Sequence, residues 1–263
     1  MDGAEGSSRA RAAGGGERKR ARSTSAAPGE EEALRAVCAA YDGVDGYRIA
    51  REEKGRQRSS GLFIEGLQYG EVDAAAFAYA LTWVAPRDGD AATKRARPDP
   101  SKERASAAGK AATTAAPGEA ATTAPGRHFI DLGSGVGKAV LTAAATGGFA
   151  SATGVELLRP LHEAALAARA RCDPAALRGT AVHFECGDAL TYAWGSLDVV
   201  FVSLTCFTDE QVARVAEGAA NLSAGARLLV TSRPLHTPAL RLLRREKIAY
   251  GKGTLTFIAY ERV

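Results

Sequence analysis

The sequence predicts an α/β protein whose second half forms a Rossmann-like sheet. From residue 128 onward, short apolar runs alternate with amphipathic segments, which is the pattern of β-α-β units. The run at 197–204 is apolar almost throughout, as expected for a strand that is buried on both faces. Two further runs close the chain and predict a hairpin. We therefore expect a parallel sheet flanked by helices, with an antiparallel strand at one edge.

Seven strands and three helices are predicted for this half. The strands are expected at 128–132, 151–157, 181–188, 197–204, 226–232, 247–251 and 254–262. The helices are expected at 138–147, 159–171 and 208–221. No strand is predicted for residues 238–246 (PALRLLRRE), which precede the closing hairpin.

Residues 31–85 are predicted to be mainly helical and to form the N-terminal part of the same domain. Acidic residues open a first helix that ends at Gly43, because negative charge is favourable near a helix N-terminus. A second helix is expected over 73–85, with Asp73 as its N-cap and Pro86 directly after its end.

Two stretches contain too few large apolar residues to form a core. Residues 1–30 are predicted to be a disordered basic tail, with six basic and four acidic side chains, and residues 86–127 a low-complexity insertion with eight and five. Both contain the tetrapeptide KRAR. These stretches hold most of the basic excess of a chain whose net charge is only +4, so no strongly basic folded face is expected.

Composition also excludes several classes of protein. No apolar run approaches the roughly 18 residues of a membrane-spanning helix, so no membrane partner is expected. The first 30 residues lack the apolar core of a secretory signal. The four cysteines lie far apart and without a spaced histidine, which argues against a disulfide scaffold or a structural zinc site.

The most informative segment is the glycine-rich stretch from Asp131 to Lys138 (DLGSGVGK). It lies between a predicted strand and a predicted helix, where glycines allow positive φ and the helix N-terminus offers unpaired N–H groups to an anion. A phosphate-binding P-loop would need a glycine at Leu132 and a hydroxyl at Ala139, so that interpretation fails. The dinucleotide pattern GxGxxG matches only weakly, which leaves a nicotinamide oxidoreductase as a distant alternative.

The interpretation that fits best is a site for S-adenosylmethionine. Asp131, at the end of the first strand, is placed to bind the ammonium group of the ligand or a water molecule. Glu156 ends the second strand, where a carboxylate can accept from both ribose hydroxyls, and Asp188 ends the third, where it can accept from the adenine amino group. The carboxyl ends of parallel strands meet at one edge of the sheet, so these three carboxylates are expected to border one crevice.

These residues resemble the Dot-one family, the non-SET histone-lysine methyltransferases named for disruptor of telomeric silencing. The resemblance rests on DLGSGVGK, GVE (154–156), GD (187–188), VVFV (199–202) and an upstream YGEV (69–72), in that order. ARLLVTSRPL (226–235) is also similar to the fifth strand of the family and its continuation. The resemblance implies a seven-stranded class I methyltransferase sheet, S-adenosylmethionine as the cofactor, and methylation of a lysine in the core of a histone on the nucleosome surface.

The resemblance also implies roles for residues outside the glycine loop. Tyr69 and Glu71 would belong to a loop that closes over the cofactor. The family carries consecutive asparagines and an aromatic residue after the fourth strand, where this chain has Ser203 to Phe207 without an asparagine, so Ser203 would supply the polar contact. A late tyrosine pair of the family is replaced by Phe257 and Ile258.

The candidate site residues are therefore as follows. The cofactor-binding candidates are Tyr69, Glu71, Asp131, Gly133, Ser134, Gly135, Gly137, Lys138, Glu156, Asp188 and Ala189. The catalytic candidates are Tyr69, Ser203, Phe207 and Phe257, with Tyr260 as a further aromatic wall of an acceptor channel. No metal ligands are predicted.

Three functional hypotheses stay open at this point. The first is a histone-lysine methyltransferase that acts on the nucleosome in the nucleus, with weak nucleic-acid contacts through the two KRAR segments. The second is a methyltransferase for a non-histone protein or a small molecule, which the missing asparagines favour and which could act in the cytoplasm. The third is a cofactor-binding module without catalytic activity.

Overall fold

The computed structural model describes residues 29–60, 69–85, 126–146, 148–194, 196–251 and 253–263. The predicted tail lies outside these ranges, apart from its last two residues, and so does the predicted insertion, apart from residues 126 and 127. Both KRAR segments are among the residues that are not described. No helix in the described ranges is long and apolar enough to cross a membrane.

A seven-stranded sheet forms the centre of the part of the chain that the structure describes. The strands are β1 (Arg127–Leu132), β2 (Phe149–Glu156), β3 (Ala181–Cys186), β4 (Val199–Val202), β5 (Arg227–Thr231), β6 (Leu240–Tyr250) and β7 (Gly253–Arg262). Their spatial order is β3-β2-β1-β4-β5-β7-β6, with β1 to β5 parallel and β7 antiparallel to both of its neighbours. The predicted Rossmann-like α/β sheet with an antiparallel edge strand is confirmed.

The sixth strand differs from the prediction. It begins at Leu240 and not at Lys247, and it pairs with β7 from Leu240↔Arg262 to Tyr250↔Gly253. The register shifts between Leu242 and Arg244, so one extra residue interrupts the alternation of side chains. The two-residue period that identifies a strand in a sequence is therefore broken within PALRLLRRE, and this part of β6 was not predicted.

Six α-helices flank the sheet within the described ranges: α1 (Glu30–Ala40), α2 (Gly46–Ser59), α3 (Ala74–Leu81), α4 (Lys138–Thr146), α5 (Arg159–Arg171) and α6 (Asp209–Ala220). Helix α2 was expected only as part of a mainly helical region, although Asp45 caps it by accepting from the backbone N–H of Arg48 at 2.9 Å. Asp73 caps α3 in the same way, through the N–H of Ala76 at 2.9 Å, as predicted.

Successive strand residues face two separate apolar layers, which is why the sheet is buried on both sides. Phe129 packs in the layer that contains α1, α3, α4 and α5, whereas its neighbour Ile130 packs in the layer that contains α6. Phe77 of α3 is fully buried, with its ring centroid 6.1 Å from that of Phe129 and 4.7 Å from that of Phe201. Burying such a side chain contributes about 1.5–3 kcal/mol, and it holds α3 and the residues before it against the sheet.

Candidate functional site

The loop between β1 and α4 adopts a backbone that its glycines make possible. Gly133, Gly135 and Gly137 have φ values of +91°, +55° and +82°, all in the region that side chains with a Cβ disfavour. The N–H groups of Gly133 and Ser134 both donate to the carbonyl of Val155 on β2, each at 2.9 Å. The loop therefore leaves the sheet at its carboxyl edge and is fixed against the second strand.

Glu156, at the end of β2, binds this loop directly. One carboxylate oxygen accepts from the N–H of Gly135 at 2.7 Å, and the other accepts from the N–H of Leu158 at 2.8 Å. Burial raises the pKa of Glu156, while these backbone donors act to lower it. In this structure the carboxylate thus orders the loop and the start of α5.

Asp131, the last but one residue of β1, is a buried carboxyl group with unmet hydrogen-bonding capacity. It is 2% exposed, and one of its side-chain oxygens has no hydrogen-bond partner among the described residues. The buried hydroxyl group of Ser134 also has no hydrogen-bond partner among the described residues. Burial raises the pKa of Asp131 well above its ordinary value, and the nearby charge of Glu156 raises it further. A cationic group in front of Asp131 would satisfy both its charge and its free acceptor.

The ring of Tyr69 covers the glycine loop. A Cβ on Gly135 would lie 2.7 Å from Cε2 of Tyr69, and a Cβ on Gly46 would lie 2.4 Å from its Cζ. Its ring also meets that of Tyr47 edge-on, at a centroid distance of 5.0 Å. Burial raises the pKa of Tyr69, which keeps the phenol neutral at physiological pH. Two glycines therefore allow one aromatic side chain to close over the loop.

An ion pair joins the segment of Tyr69 to the start of α4. The Lys138 ammonium donates to the Glu71 carboxylate, and both side chains are about one-fifth exposed. The same ammonium lies 5.1 Å from the ring centroid of Tyr41, whose hydroxyl donates to the carbonyl of Val136 at 3.0 Å. Residues 69–72 are thereby held over the carboxyl edge of β1 and β4.

A small cavity, partly open to solvent, lies beneath this segment. It is lined by Tyr69, Gly70, Glu71, Val72, Asp131, Gly133, Ser134, Val136, Lys138, Ala139, Phe201 and Ser203. The structure thus brings together seven of the predicted residues, namely Tyr69, Glu71, Asp131, Gly133, Ser134, Lys138 and Ser203. The cavity is far smaller than the roughly 300–1,000 Å³ that ligand pockets usually have, so its lining must open to admit a nucleoside-sized ligand.

Several predicted residues do not border this cavity. Asp188 caps the short turn after β3, where it accepts from the N–H of Leu190 at 2.8 Å, and Ala189 begins that turn. The ring of Phe207 approaches Gly133, with its Cζ 3.9 Å from the place of a Cβ there. Gly137 lies beside Phe184, because a Cβ would come within 2.5 Å of its ring.

Two aromatic residues that were expected to wall an acceptor channel lie in the core. Phe257 is fully buried on β7, where it pairs with Thr231 of β5. The Tyr260 hydroxyl accepts from the N–H of Leu235 at 3.0 Å, on the opposite side of the sheet from Phe257. Strand alternation points these two side chains into the two apolar layers.

The sequence reasoning missed some residues of this region. The apolar lining residues Val72, Val136 and Phe201 lie within the segments YGEV, DLGSGVGK and VVFV, but they were not among the candidate site residues. Thr231 ends β5 and its hydroxyl lies 3.1 Å from that of Ser203, so a search for polar residues at strand ends could have found it. Within the described ranges, no group of three or more His, Cys, Asp or Glu residues is arranged to hold a metal ion.

Comparison with known proteins adds an independent finding. A family model described as "Histone methylation protein DOT1" matches residues 119–251, which is half of the chain. No curated protein sequence matches the chain significantly.

Solved structures show similarity to about half of this chain. One is an RNA methyltransferase from Salinibacter ruber in complex with S-adenosyl-L-homocysteine. The two sequences are 20% identical, the match covers 52% of this chain and 80% of that chain, and the TM-score is 0.41. Another is magnesium protoporphyrin IX methyltransferase from Synechocystis PCC 6803 with bound S-adenosylmethionine, with 17% identity, coverage of 53% and 71%, and a TM-score of 0.42.

Proposed function

The chain belongs to the DOT1 histone methylation family, and from that membership we propose that it methylates a lysine side chain in the histone core of the nucleosome. It is an S-adenosylmethionine-dependent methyltransferase. The family implies a histone protein as the substrate and a role in the nucleus. The proposal adds the lysine acceptor, the nucleosome as the form in which the histone is bound, and the residue roles that follow.

The observation that carries the proposal is the unsatisfied carboxyl group of Asp131 at the floor of the cavity. A buried acceptor without a partner is costly, and it is satisfied when an ammonium group donates to it. The Ser134 hydroxyl, which has no partner among the described residues, lines the same cavity and suits the carboxylate of the same amino-acid moiety. The residues of this cavity therefore fit the methionine part of the cofactor.

Glu156 and Asp188 support binding of the adenosine part. Glu156 ends β2, which pairs with β1, and Asp188 follows the end of β3, which pairs with β2, so both lie at the same edge of the sheet. We assign Glu156 to the ribose hydroxyls and Asp188 to the adenine side, as carboxylates act at the corresponding edge of dinucleotide sites. Glu156 would keep its bond to the Gly135 N–H through one oxygen and use the other for the ligand.

The cofactor, when bound, supplies a methyl group on a positively charged sulfur. The protein has to align the acceptor nitrogen at about 3 Å from that methyl group and to exclude water. Tyr69, Val72 and Phe201 form an apolar wall that favours the neutral amine over the ammonium ion, because desolvation disfavours charge. The Ser203 hydroxyl, which also lines the cavity, is assigned to the acceptor nitrogen.

One observation favours a second candidate function. The stretch Ser203–Phe207 carries hydroxyl and thiol groups in place of the asparagines of the family. A changed polar group at the acceptor would suit a different nucleophile, so a non-histone protein or a small molecule is the alternative substrate.

The test is transfer of labelled methyl groups from S-adenosylmethionine to nucleosomes and to free histones. We expect label on histone lysine from the parent protein, loss of label with Asp131→Asn, and retention with the exposed control Asp42→Asn. If S-adenosylhomocysteine raises the melting temperature of the protein while neither nucleosomes nor histones are labelled, histone is not the substrate. Label that appears instead in a total cell extract would identify the alternative.

A further inference from the structure

Four hydroxyl groups form a continuous line from the cavity to the surface, at the carboxyl ends of β4 and β5. Ser203 borders the cavity, and its Oγ lies 3.1 Å from Oγ1 of Thr231. Thr231 Oγ1 lies 3.2 Å from Oγ1 of Thr205, which lies 2.9 Å from Oγ of Ser232. Thr231 is fully buried and Thr205 is exposed. The line therefore connects the cavity with solvent through a side chain that water does not reach directly.

Ser232 is the last residue of the line, and its backbone conformation is unfavourable. Ser232 has a φ of +63°, in the left-handed region that a residue with a side chain rarely adopts. Its N–H donates to the carbonyl of Thr256 on β7 at 2.8 Å, which keeps the turn in place. Such conformations persist where the surrounding structure requires them, and they are concentrated at functional sites. Here the turn coincides with the approach of the Ser232 hydroxyl to Thr205.

Thr231 differs from the other buried threonines in what its hydroxyl contacts. The Thr180 hydroxyl donates to the backbone carbonyl of Phe149 at 3.1 Å, and that of Thr142 in α4 has no partner within the described part of the chain. The Thr231 hydroxyl instead contacts two other hydroxyls. Since a hydroxyl donates one hydrogen bond and can accept another, all members of the line can donate in the same direction, outward.

We propose that this line carries away the proton that the acceptor amine must lose before methyl transfer. The inference rests on the proposed function, because it requires an amine acceptor beside Ser203. The N–H bond of the ammonium breaks and its proton passes to Ser203, whose own proton passes to Thr231. The proton of Thr231 passes to Thr205, that of Thr205 passes to Ser232, and that of Ser232 passes to water at the surface. Each hydroxyl stays neutral, and the nitrogen keeps the electron pair that forms the new bond to carbon.

Charged and titratable groups surround the line but are not members of it. Asp131, Glu71 and Lys138 line the same cavity, and the last two pair with each other. Arg233 follows Ser232 and is held by the Phe207 carbonyl and by Asp209. The Cys206 thiol, next to Thr205, has a pKa that burial raises. Asp131 is assigned to the ammonium group of the cofactor, so the hydroxyl line is the route left for the proton of the acceptor.

The decisive variant is Thr231→Val, which removes the hydroxyl and keeps the shape of the side chain. Thr142→Val is the matched control, since it makes the same change at another fully buried position whose hydroxyl is not in the line. We expect methylation of nucleosomes at neutral pH to be roughly 100-fold slower with Thr231→Val than with the control, near the lower end of what positioned proton transfer contributes. Thr231→Ser keeps a hydroxyl and is expected to restore most of the rate.

The pH dependence separates a proton route from a merely structural role. The deficit of Thr231→Val is expected to shrink as the pH approaches the ordinary pKa of lysine, about 10.4, because more of the acceptor then arrives neutral. Affinity for S-adenosylhomocysteine, measured by calorimetry, is expected to equal that of the control. Ser203→Ala interrupts the line from a partly exposed position and is expected to show the same pH-dependent deficit, which keeps the test valid if Thr231→Val unfolds.

Two results would overturn the relay while the parent protein is active. One is a rate for Thr231→Val equal to that of Thr142→Val, and the other is a deficit that is the same at every pH. A parent protein that binds the cofactor product but methylates no nucleosomal lysine contradicts the proposed substrate, and the relay with it. The activity of the parent therefore tells the two failures apart.

Discussion

Replacement of Gly135 by alanine tests whether Tyr69 closes over the glycine loop as described. The new Cβ would lie 2.7 Å from Cε2 of Tyr69, closer than a Cβ can approach without displacement. The opposite edge of the ring lies against Gly46, where a Cβ would be only 2.4 Å from Cζ, so the ring cannot move in that direction. We therefore expect the substitution to displace Tyr69 from the loop.

Gly43→Ala is the matched control for the backbone contribution. Gly43 has a φ of +76° and no atom within 4 Å of the place of a Cβ, so the substitution introduces the backbone strain without the clash. The left-handed conformation costs alanine about 1–2 kcal/mol, offset by about 0.4–1 kcal/mol from the reduced freedom of the unfolded chain. The control should lose about 1 kcal/mol of the free energy of unfolding.

Gly135→Ala should lose about 2–4 kcal/mol, because overpacking adds about 1–3 kcal/mol to the backbone strain. The assay is urea unfolding of both variants, with Tyr69→Ala and the double variant completing a cycle. The double variant should lose less than the sum of the two single changes, since the clash is gone. Equal losses for Gly135→Ala and Gly43→Ala, or strict additivity in the cycle, would refute the described packing of Tyr69.

Three further predictions concern the buried groups of the site and the core. Asp131→Asn should raise the free energy of unfolding of the ligand-free protein at pH 7, because burial raises the pKa of Asp131 on folding. With Asp131 present, the free energy of unfolding should fall as the pH rises above the ordinary pKa of 3.8, and a urea series against pH showing the opposite slope would contradict this. Glu156→Gln should lower the free energy of unfolding by about 1–3 kcal/mol, because an amide presents an N–H to one of the two backbone donors. Calorimetry should also show weaker binding of S-adenosylhomocysteine. The exposed control Glu163→Gln should change neither stability nor binding. Phe257→Ala should cost about 3–5 kcal/mol in urea unfolding, as a fully buried core residue does, and a much smaller loss would argue for a place in a solvent-filled channel.

Local pattern was sufficient for most of the fold. Apolar periodicity located all seven strands, although only the second half of β6, and capping residues such as Asp73 located helix starts, because both depend on neighbours within a few residues. The glycine spacing in Asp131–Lys138 predicted a loop with positive φ, which Gly133, Gly135 and Gly137 adopt. The first half of β6 was not predicted, because the irregular register with β7 interrupts the two-residue period there.

The sequence by itself determined which chemistry-bearing residues end each strand and therefore lie at one edge of the sheet. Only the tertiary structure decided what those side chains face. Glu156 reaches the N–H of Gly135, Glu71 pairs with a lysine 67 positions away, and Ser203 meets Thr231 from a different strand. Phe257, expected at the acceptor, is turned into the core by its pairing with β5. Contacts of this kind depend on the register between distant segments, and register is set by packing of the whole sheet, which no local stretch of sequence records.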